Sequence, residues 1–245
     1  MQFDYRGTIV NKSTPTPELR TVKKVIHVDS ADRDTGIYYT NGEFVVYLPR
    51  VYEKVVSLRL MSAEFPTLES ARVHSYASGG NAPTATYTAD TAIDVAGNAM
   101  PNYFLVDIDG LNKSDETAVA GNRSQYPDSF YAKIPNIVYS KSVATAARTT
   151  TFIEYNDHSG GENIANFSPP IGKLDRLRIR TRLHSQQGSQ GFIYWTTDQT
   201  VATAGGAGTN TNVANFCLTF EVEYLDNGFD NFSSLSTRLG PNDRA

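Results

Sequence analysis

Only one of the 245 residues is a cysteine, Cys217. No disulfide can close within the chain, and no cysteine cluster can hold zinc. Histidine is scarce as well. His27, His74, His158 and His184 stand far apart, and none forms an H-x-H or H-E-x-x-H pattern. A metal site of cupin type needs clustered histidines and is not expected here. No apolar run approaches the ~20 residues of a membrane helix. The opening MQFDYRGTIV has no basic region followed by a long apolar stretch, so no secretory signal is expected. Basic residues number 22 and acidic residues 26, for a formal charge of −4. The whole molecule therefore has no electrostatic pull toward nucleic acid or anionic membranes. A nucleophile elbow, a phosphate-binding glycine loop and a dinucleotide fingerprint are all missing. The expectation is a protein that is not an enzyme and carries no cofactor.

What the chain does have is aromatic and β-branched character. It holds 14 Tyr and 12 Phe, and hydrophobic residues make up 40%. That balance favours an all-β protein. The length allows one large β domain or two small ones.

The stretch Phe44 to Pro66 organises the rest. Val56, Leu58 and Leu60 alternate with Ser57 and Arg59, which is the period of a strand with one buried face. Pro49 is expected to divide an earlier strand, 43–48, from this one, 54–62, giving a hairpin or a sheet corner. Pro66 is expected to stop it. Further strands are expected at 22–28, 103–109, 130–134, 150–155, 175–183 and 216–224. Residues 137–139 can continue the strand that Pro135 ends, and 192–195 make an extra one. Residues 140–148 could form one or two helical turns, and 84–88 with 91–95 a short hairpin. The segment 156–172, with Gly160-Gly161 and Pro169-Pro170, reads as a loop, as do 111–128 and the Gly/Thr-rich 204–212.

Eight main strands with no long helix cannot form a parallel sheet, which needs crossover helices. An antiparallel β-sandwich of Greek-key or jelly-roll type fits best. Its expected limits are 22–225, with insertions near 67–101 and 184–214. An N-terminal arm, 1–21, carries Pro15 and Pro17. A C-terminal tail, 226–245, carries Phe229, Phe232, Leu235 and Leu239 at three- and four-residue steps, the spacing of one face of a short helix.

Three groups of residues resemble a known family. They are VIHVDSADRD from Val25 to Asp34, the run GEFVVYLP from Gly42 to Pro49, and VVSLRLMSAEFP from Val55 to Pro66. KLDRLRIR from Lys173 to Arg180 and FCLTFEVEYL from Phe216 to Leu225 add to them. Together they resemble minor capsid proteins of large icosahedral DNA viruses, chlorovirus-like and their giant-virus relatives. The resemblance covers roughly 22–66 and 129–225. It implies a single jelly roll in a minor capsid or penton-like position, located in the virion and acting by assembly. The implied partners are the major capsid protein and other minor capsid proteins. No specific nucleic acid and no membrane span are implied. These are scaffold patterns, not catalytic signatures.

Several side-chain patterns bear on chemistry. Asp32, Asp34 and Glu43 fall at the first, third and twelfth places of a calcium loop. Gly36 and Ile37 occupy the wrong places for one, so a plain turn is the expectation. His27 reads as structural, and nothing marks Cys217 as an activated nucleophile. Asp107 with Asp109, and Glu221 with Glu223, could serve a glycosidase, but such pairs are ordinary on solvated strands. Five N-x-S/T sequons begin at Asn11, Asn112, Asn122, Asn166 and Asn231, a number that chance supplies in a chain this rich in Asn, Ser and Thr. Without a secretory signal they stay silent. The unusual polar feature is a row of arginines, Arg176, Arg178, Arg180 and Arg182, on one face of a strand. Four like charges need something negative opposite. Glu221 and Glu223, or Asp107 and Asp109, could supply it by cross-strand pairing. An acidic face of a neighbouring subunit, or nucleic acid, could supply it from outside. The alternative function is a carbohydrate-binding, lectin-like sandwich with Trp195, Tyr194, Tyr38 and Tyr39 on exposed loops.

Overall fold

The computed structural model describes residues 2–3, 9–10, 19–75, 91–93, 100–112, 129–143, 148–158, 160–184, 186, 191–197 and 213–227. These residues form strands with only two short 3₁₀ turns, Ser30–Asp32 and Leu68–Ser70. The strands are β1 (Gln2–Phe3), β2 (Ile9–Val10), β3 (Leu19–Asp29), β4 (Glu43–Pro66), β5 (Ala71–Ser75), β6 (Thr91–Ala92) and β7 (Tyr103–Ile108). They continue with β8 (Ala132–Pro135), β9 (Val138–Val143), β10 (Arg148–Asn156), β11 (Ile164–Arg182), β12 (Gly191–Trp195) and β13 (Cys217–Asn227).

Every pairing is antiparallel. An eight-stranded sheet runs β3-β13-β4-β11-β7-β8, with the β9–β10 hairpin attached to the end of β4. A smaller sheet runs β12-β5-β6, and β1 pairs with β2. The last strand lies between the first two long ones, and β11 follows them. That Greek-key order, with a second sheet supplied by β12, β5 and β6, is the jelly-roll arrangement. Ile193, Trp195, Ala71 and Ile93 of the smaller sheet and its flank share one core with Ile26, Phe44, Leu58, Phe65, Leu177 and Phe220 of the larger. The chain is an all-β sandwich.

One strand makes two layers out of one sheet. Fully extended at ~3.3 Å per residue, β4 would be on the order of 80 Å long. Yet Phe44 near its start and Phe65 near its end both pack on Phe216, with ring centroids 6.0 and 4.6 Å away. The strand is therefore bent back on itself. Its second half pairs in-plane with β13, from Val55 to Glu64. Its first half crosses above, where Tyr52 meets Tyr224 edge-on at 5.6 Å. β11 follows it round the bend, pairing from Arg59 down to Glu43. Strands that switch layers through bulges in this way make the corners of sandwiches.

The corner explains two differences from the sequence reading. Pro49 does not divide two strands, and Pro169 and Pro170 do not lie in a loop. Both sites fall where the β4–β11 register shifts, between Asn166 and Ile171 and between Leu174 and Arg176. Proline has no N–H to lose there, and the extra residues loop outward. Lys54 turns the backbone with a φ of 53°. Arg50 closes the corner: its guanidinium lies 4.8 Å from the Tyr52 ring and 5.1 Å from the Tyr224 ring, and it donates to the Tyr224 hydroxyl at 2.7 Å.

Two bulges correct the predicted alternation. Tyr224 faces Val55 while Glu223 faces Ser57, so Val56 is an extra residue and Val55 takes the buried place. Met61 is extra in the same way, which moves the inward positions to Ala63 and Phe65. The alternation of β13 holds, with Leu218, Phe220, Val222 and Tyr224 buried. Residues 140–143 are not helical but belong to β9, which pairs with β10 and not with β8. The expected hairpin over 84–95 lies mostly outside the described residues; Thr91 and Ala92 pair with β5.

A threonine hydroxyl ties the smaller sheet to the larger. Thr181 donates its hydroxyl to the Ile193 carbonyl at 2.7 Å, and its N–H to the Gly42 carbonyl at 2.9 Å. Gly42 is required there, because a Cβ would collide with the Phe192 ring and the Ile193 carbonyl.

Two buried tyrosines set an alkaline limit on this core. Burial first, then the nearby Asp157 carboxylate, pushes the Tyr155 hydroxyl up to about 12, and burial raises Tyr131 strongly. In the unfolded chain both titrate near ~10. Their folded values are the higher ones, so the unfolded state releases protons first and stability falls as pH rises. Urea midpoints should be unaffected by these groups below about pH 10 and should fall from there toward pH 12. Tyr155→Phe should flatten that fall.

Candidate interaction surface

The arginine row lies on the outward face of β11, between β4 and β7. Arg178 donates to Glu43 of β4 at 2.6 Å and stands 3.8 Å from Asp109. The Glu43 hydrogen bond raises its already high pKa further. Arg180 reaches one oxygen of Asp107 on β7 with Nη2 at 2.7 Å and Nε at 3.3 Å. Arg182 donates from Nε to the same oxygen at 2.7 Å and from Nη2 to the Ser129 carbonyl at 3.1 Å. The cross-strand reading with Asp107 and Asp109 therefore holds, and Glu43 joins them. Glu221 and Glu223 do not take part. They sit on β13, which is not next to β11, and turn instead to Lys23 at 3.0 Å and to Ser57 at 2.9 Å.

The row is thus not a free basic strip. Arg182 is fully buried and cannot face a partner, which corrects its place among the expected interface residues. Asp107 is buried with it, 4% exposed. Its other carboxylate oxygen and the Nη1 of Arg182 have no hydrogen-bond partner among the described residues. Arg180 is half-buried, Arg178 is exposed but paired, and Arg176 is exposed opposite Tyr47. Phe229, Phe232, Leu235 and Leu239 lie outside the described residues, as does most of the N-terminal arm.

Arg176 belongs to a second feature. A lateral groove of about 770 Å³ opens where β3, at the edge of one layer, faces the first half of β4, at the edge of the other. Ile26, Val28, Val46 and Leu48 form its apolar depth. Ile37 and Tyr47 stand at its rim with 64% and 72% of their surface exposed. Asp32 and Asp34 mark one part of the wall and Arg176 another. The sequence carried a signal for this: FVVYL from Phe44 to Leu48 is apolar on both faces, which an ordinary half-solvated strand is not.

The remaining candidates resolve locally. The aromatics proposed for sugar binding are not exposed. Trp195 is 0% exposed and packs among Phe65, Phe104 and Phe216, with centroids at 5.2, 5.6 and 5.3 Å. Tyr194 is equally buried, and Tyr38 and Tyr39 are half-buried. The uninterrupted run FIYW is the pattern of a strand covered on both faces, not of a loop. Asp34 accepts from the Gly36 N–H at 2.9 Å and Asp29 from the Ala31 N–H at 2.8 Å, a pair of side-chain-fixed turns. Glu43 is committed to Arg178, so the calcium-loop positions do not converge. His27 bonds Thr219 at 3.1 Å between adjacent strands. Cys217 is half-buried, and burial followed by Asp29 and Glu64 pushes its thiol pKa up. No group of three metal-ligating side chains occurs among the described residues. Nor is any helix among them long and apolar enough to cross a membrane.

No family model matches the chain, and no curated protein matches it.

Removing one partner of a buried ion pair leaves an uncompensated charge, at a cost of about 3–5 kcal/mol. Asp107→Ala should therefore unfold at far lower urea than the parent. Glu43→Ala, which frees the exposed Arg178, should cost no more than ~1 kcal/mol. Equal effects would mean that Asp107 is not the anchor of the row. For Cys217, alkylation at pH 8 should run well below the rate of a free cysteine peptide, because the thiolate is the reactive form.

Proposed function

We propose that this chain is a structural subunit of an icosahedral viral capsid, in a minor capsid or penton-like position, and that it works by subunit–subunit contact. The observation that carries the reading is where the resembling residues fall. The stretches 22–66 and 129–225 supply most of β3 and β13 and all of β4 and of β8 to β12. Among these are the strands that set the first–last–second order of the large sheet. A sequence pattern that coincides with the architecture, and not with any cluster of reactive groups, supports a scaffold role. Its partners on this reading are the major capsid protein and other minor capsid proteins, and its location is the virion.

Surface apolar residues support the same reading. Ile137, Val138 and Tyr139 stand together at the start of the edge strand β9, each about half exposed, at 52%, 50% and 46%. Adjacent exposed apolar residues on an edge strand are a feature that monomers usually suppress and assemblies use.

The lectin-like alternative loses the aromatics first proposed for it, since Trp195 and Tyr194 fill the core. Trp195→Ala should lower stability by about 3–5 kcal/mol, whatever the chain binds. The test of the proposal is co-expression with the other capsid components encoded alongside the chain. The full chain should co-purify with them as a defined complex, and Tyr139→Asp should weaken that complex while leaving the melting temperature within a few degrees. Specific glycan binding by the parent, with no complex formed, would overturn it.

A further inference from the structure

The sandwich is closed on one side by the β4–β11 corner and open on the other. At the open side two strand edges face one another. Among the described residues, β3 has a ladder partner only in β13. The first half of β4, from Glu43 to Tyr52, pairs only with β11. Each therefore presents unpaired backbone N–H and C=O groups along one edge, and such edges template the addition of another strand. The groove lies between them, with Ile26 and Val28 on one wall and Val46 and Leu48 on the other.

We propose that this groove binds an extended peptide segment of a partner protein, one that alternates apolar and polar residues and carries a basic residue at the end beside Asp32 and Asp34. Backbone groups of the guest would pair with a strand edge, and every second side chain would enter the apolar depth. Two features set the chemistry of the guest. Ile37 and Tyr47 leave most of their surface uncovered at the rim, so apolar area remains to be buried. Asp32 and Asp34 line the groove, and neither carboxylate has a cationic partner among the described residues; Asp34 spends one oxygen on the Gly36 N–H. Arg176, the arginine of the row with no acid bonded to it among the described residues, lies on the same groove. Acidic and basic groups at different places along one slot select a guest of complementary polarity and fix its register. This surface stands apart from the capsid reading; a peptide-binding edge would serve any assembly.

The test is selection from a displayed library of random peptides of about twelve residues, long enough to span the groove at ~3.3 Å per residue. The bait is the full chain. Enriched peptides should share alternating apolar residues with a lysine or arginine at one end. A synthetic copy of the strongest should bind with at least a tenfold loss of affinity in Ile37→Asp and in Tyr47→Asp. It should lose severalfold in the double variant Asp32→Asn, Asp34→Asn, which keeps the turn-forming carbonyl oxygen. Both rim residues are exposed, so far-ultraviolet circular dichroism should confirm that these variants fold. Peptide binding should also slow amide exchange in 26–28 or 45–48, the edges that gain partners. Failure to enrich, a consensus without a basic residue, or affinity unchanged in the rim variants would overturn the proposal. So would a dimer of the chain that dissociates in the rim variants, since a second copy would then be the occupant.

Discussion

The bend in β4 is the constraint on which the rest of the molecule depends. A sheet of this width buries one face only if something covers it. Here the cover is the sheet itself, folded over along β4 and β11. Because both strands turn together, their ladder survives the corner at the cost of two register shifts. The aromatic contacts of Phe216 with both ends of β4 record how far the strand returns. Arg50, stacked over Tyr52 and Tyr224, holds the turn on its outer side, where a cation over aromatic rings contributes about 0.5–2 kcal/mol.

The charged row follows from the same geometry. Folding the sheet brings β7 beside the far end of β11, and this places Asp107 against Arg180 and Arg182. Burying one carboxylate between two guanidinium groups is costly in desolvation and is tolerated because three hydrogen bonds converge on one oxygen. The row therefore specifies which strand lies beside β11 more than it offers charge to a partner. The open side is the complement of the corner: among the described residues no strand crosses there between the layers, and an edge of each has no ladder neighbour.

Much of the framework was legible in the sequence because strand alternation is a direct consequence of the pleat. β13 reads without error, since Leu218, Phe220, Val222 and Tyr224 alternate without interruption. β4 reads wrongly at Val56 because a bulge adds a residue that composition does not announce. Pro49, Pro169 and Pro170 suggested chain breaks because proline usually costs a ladder bond, and only the pairing of two bulged strands removes that cost. The strand at 192–195 is legible, and only the lectin-like alternative needs Trp195 and Tyr194 on exposed loops, against the unbroken run FIYW, which points to a strand covered on both faces. The partners of the arginines could be narrowed to two acidic pairs, but strand order decided between them, and order is a long-range property. The groove was legible only through FVVYL, apolar on both faces, because the residues of β3, β4, β11 and the turn between β3 and β4 that line it meet only in the fold.

On the proposed reading this chain is a building element that works through its surfaces. The most direct test is a density map of purified particles from the cells that make the chain, read together with their protein composition. The account predicts that the chain is present in stoichiometric amount and that its sandwich occupies a fixed place in the shell, in contact with a neighbouring subunit. Particles that assemble fully and contain none of the chain would contradict it.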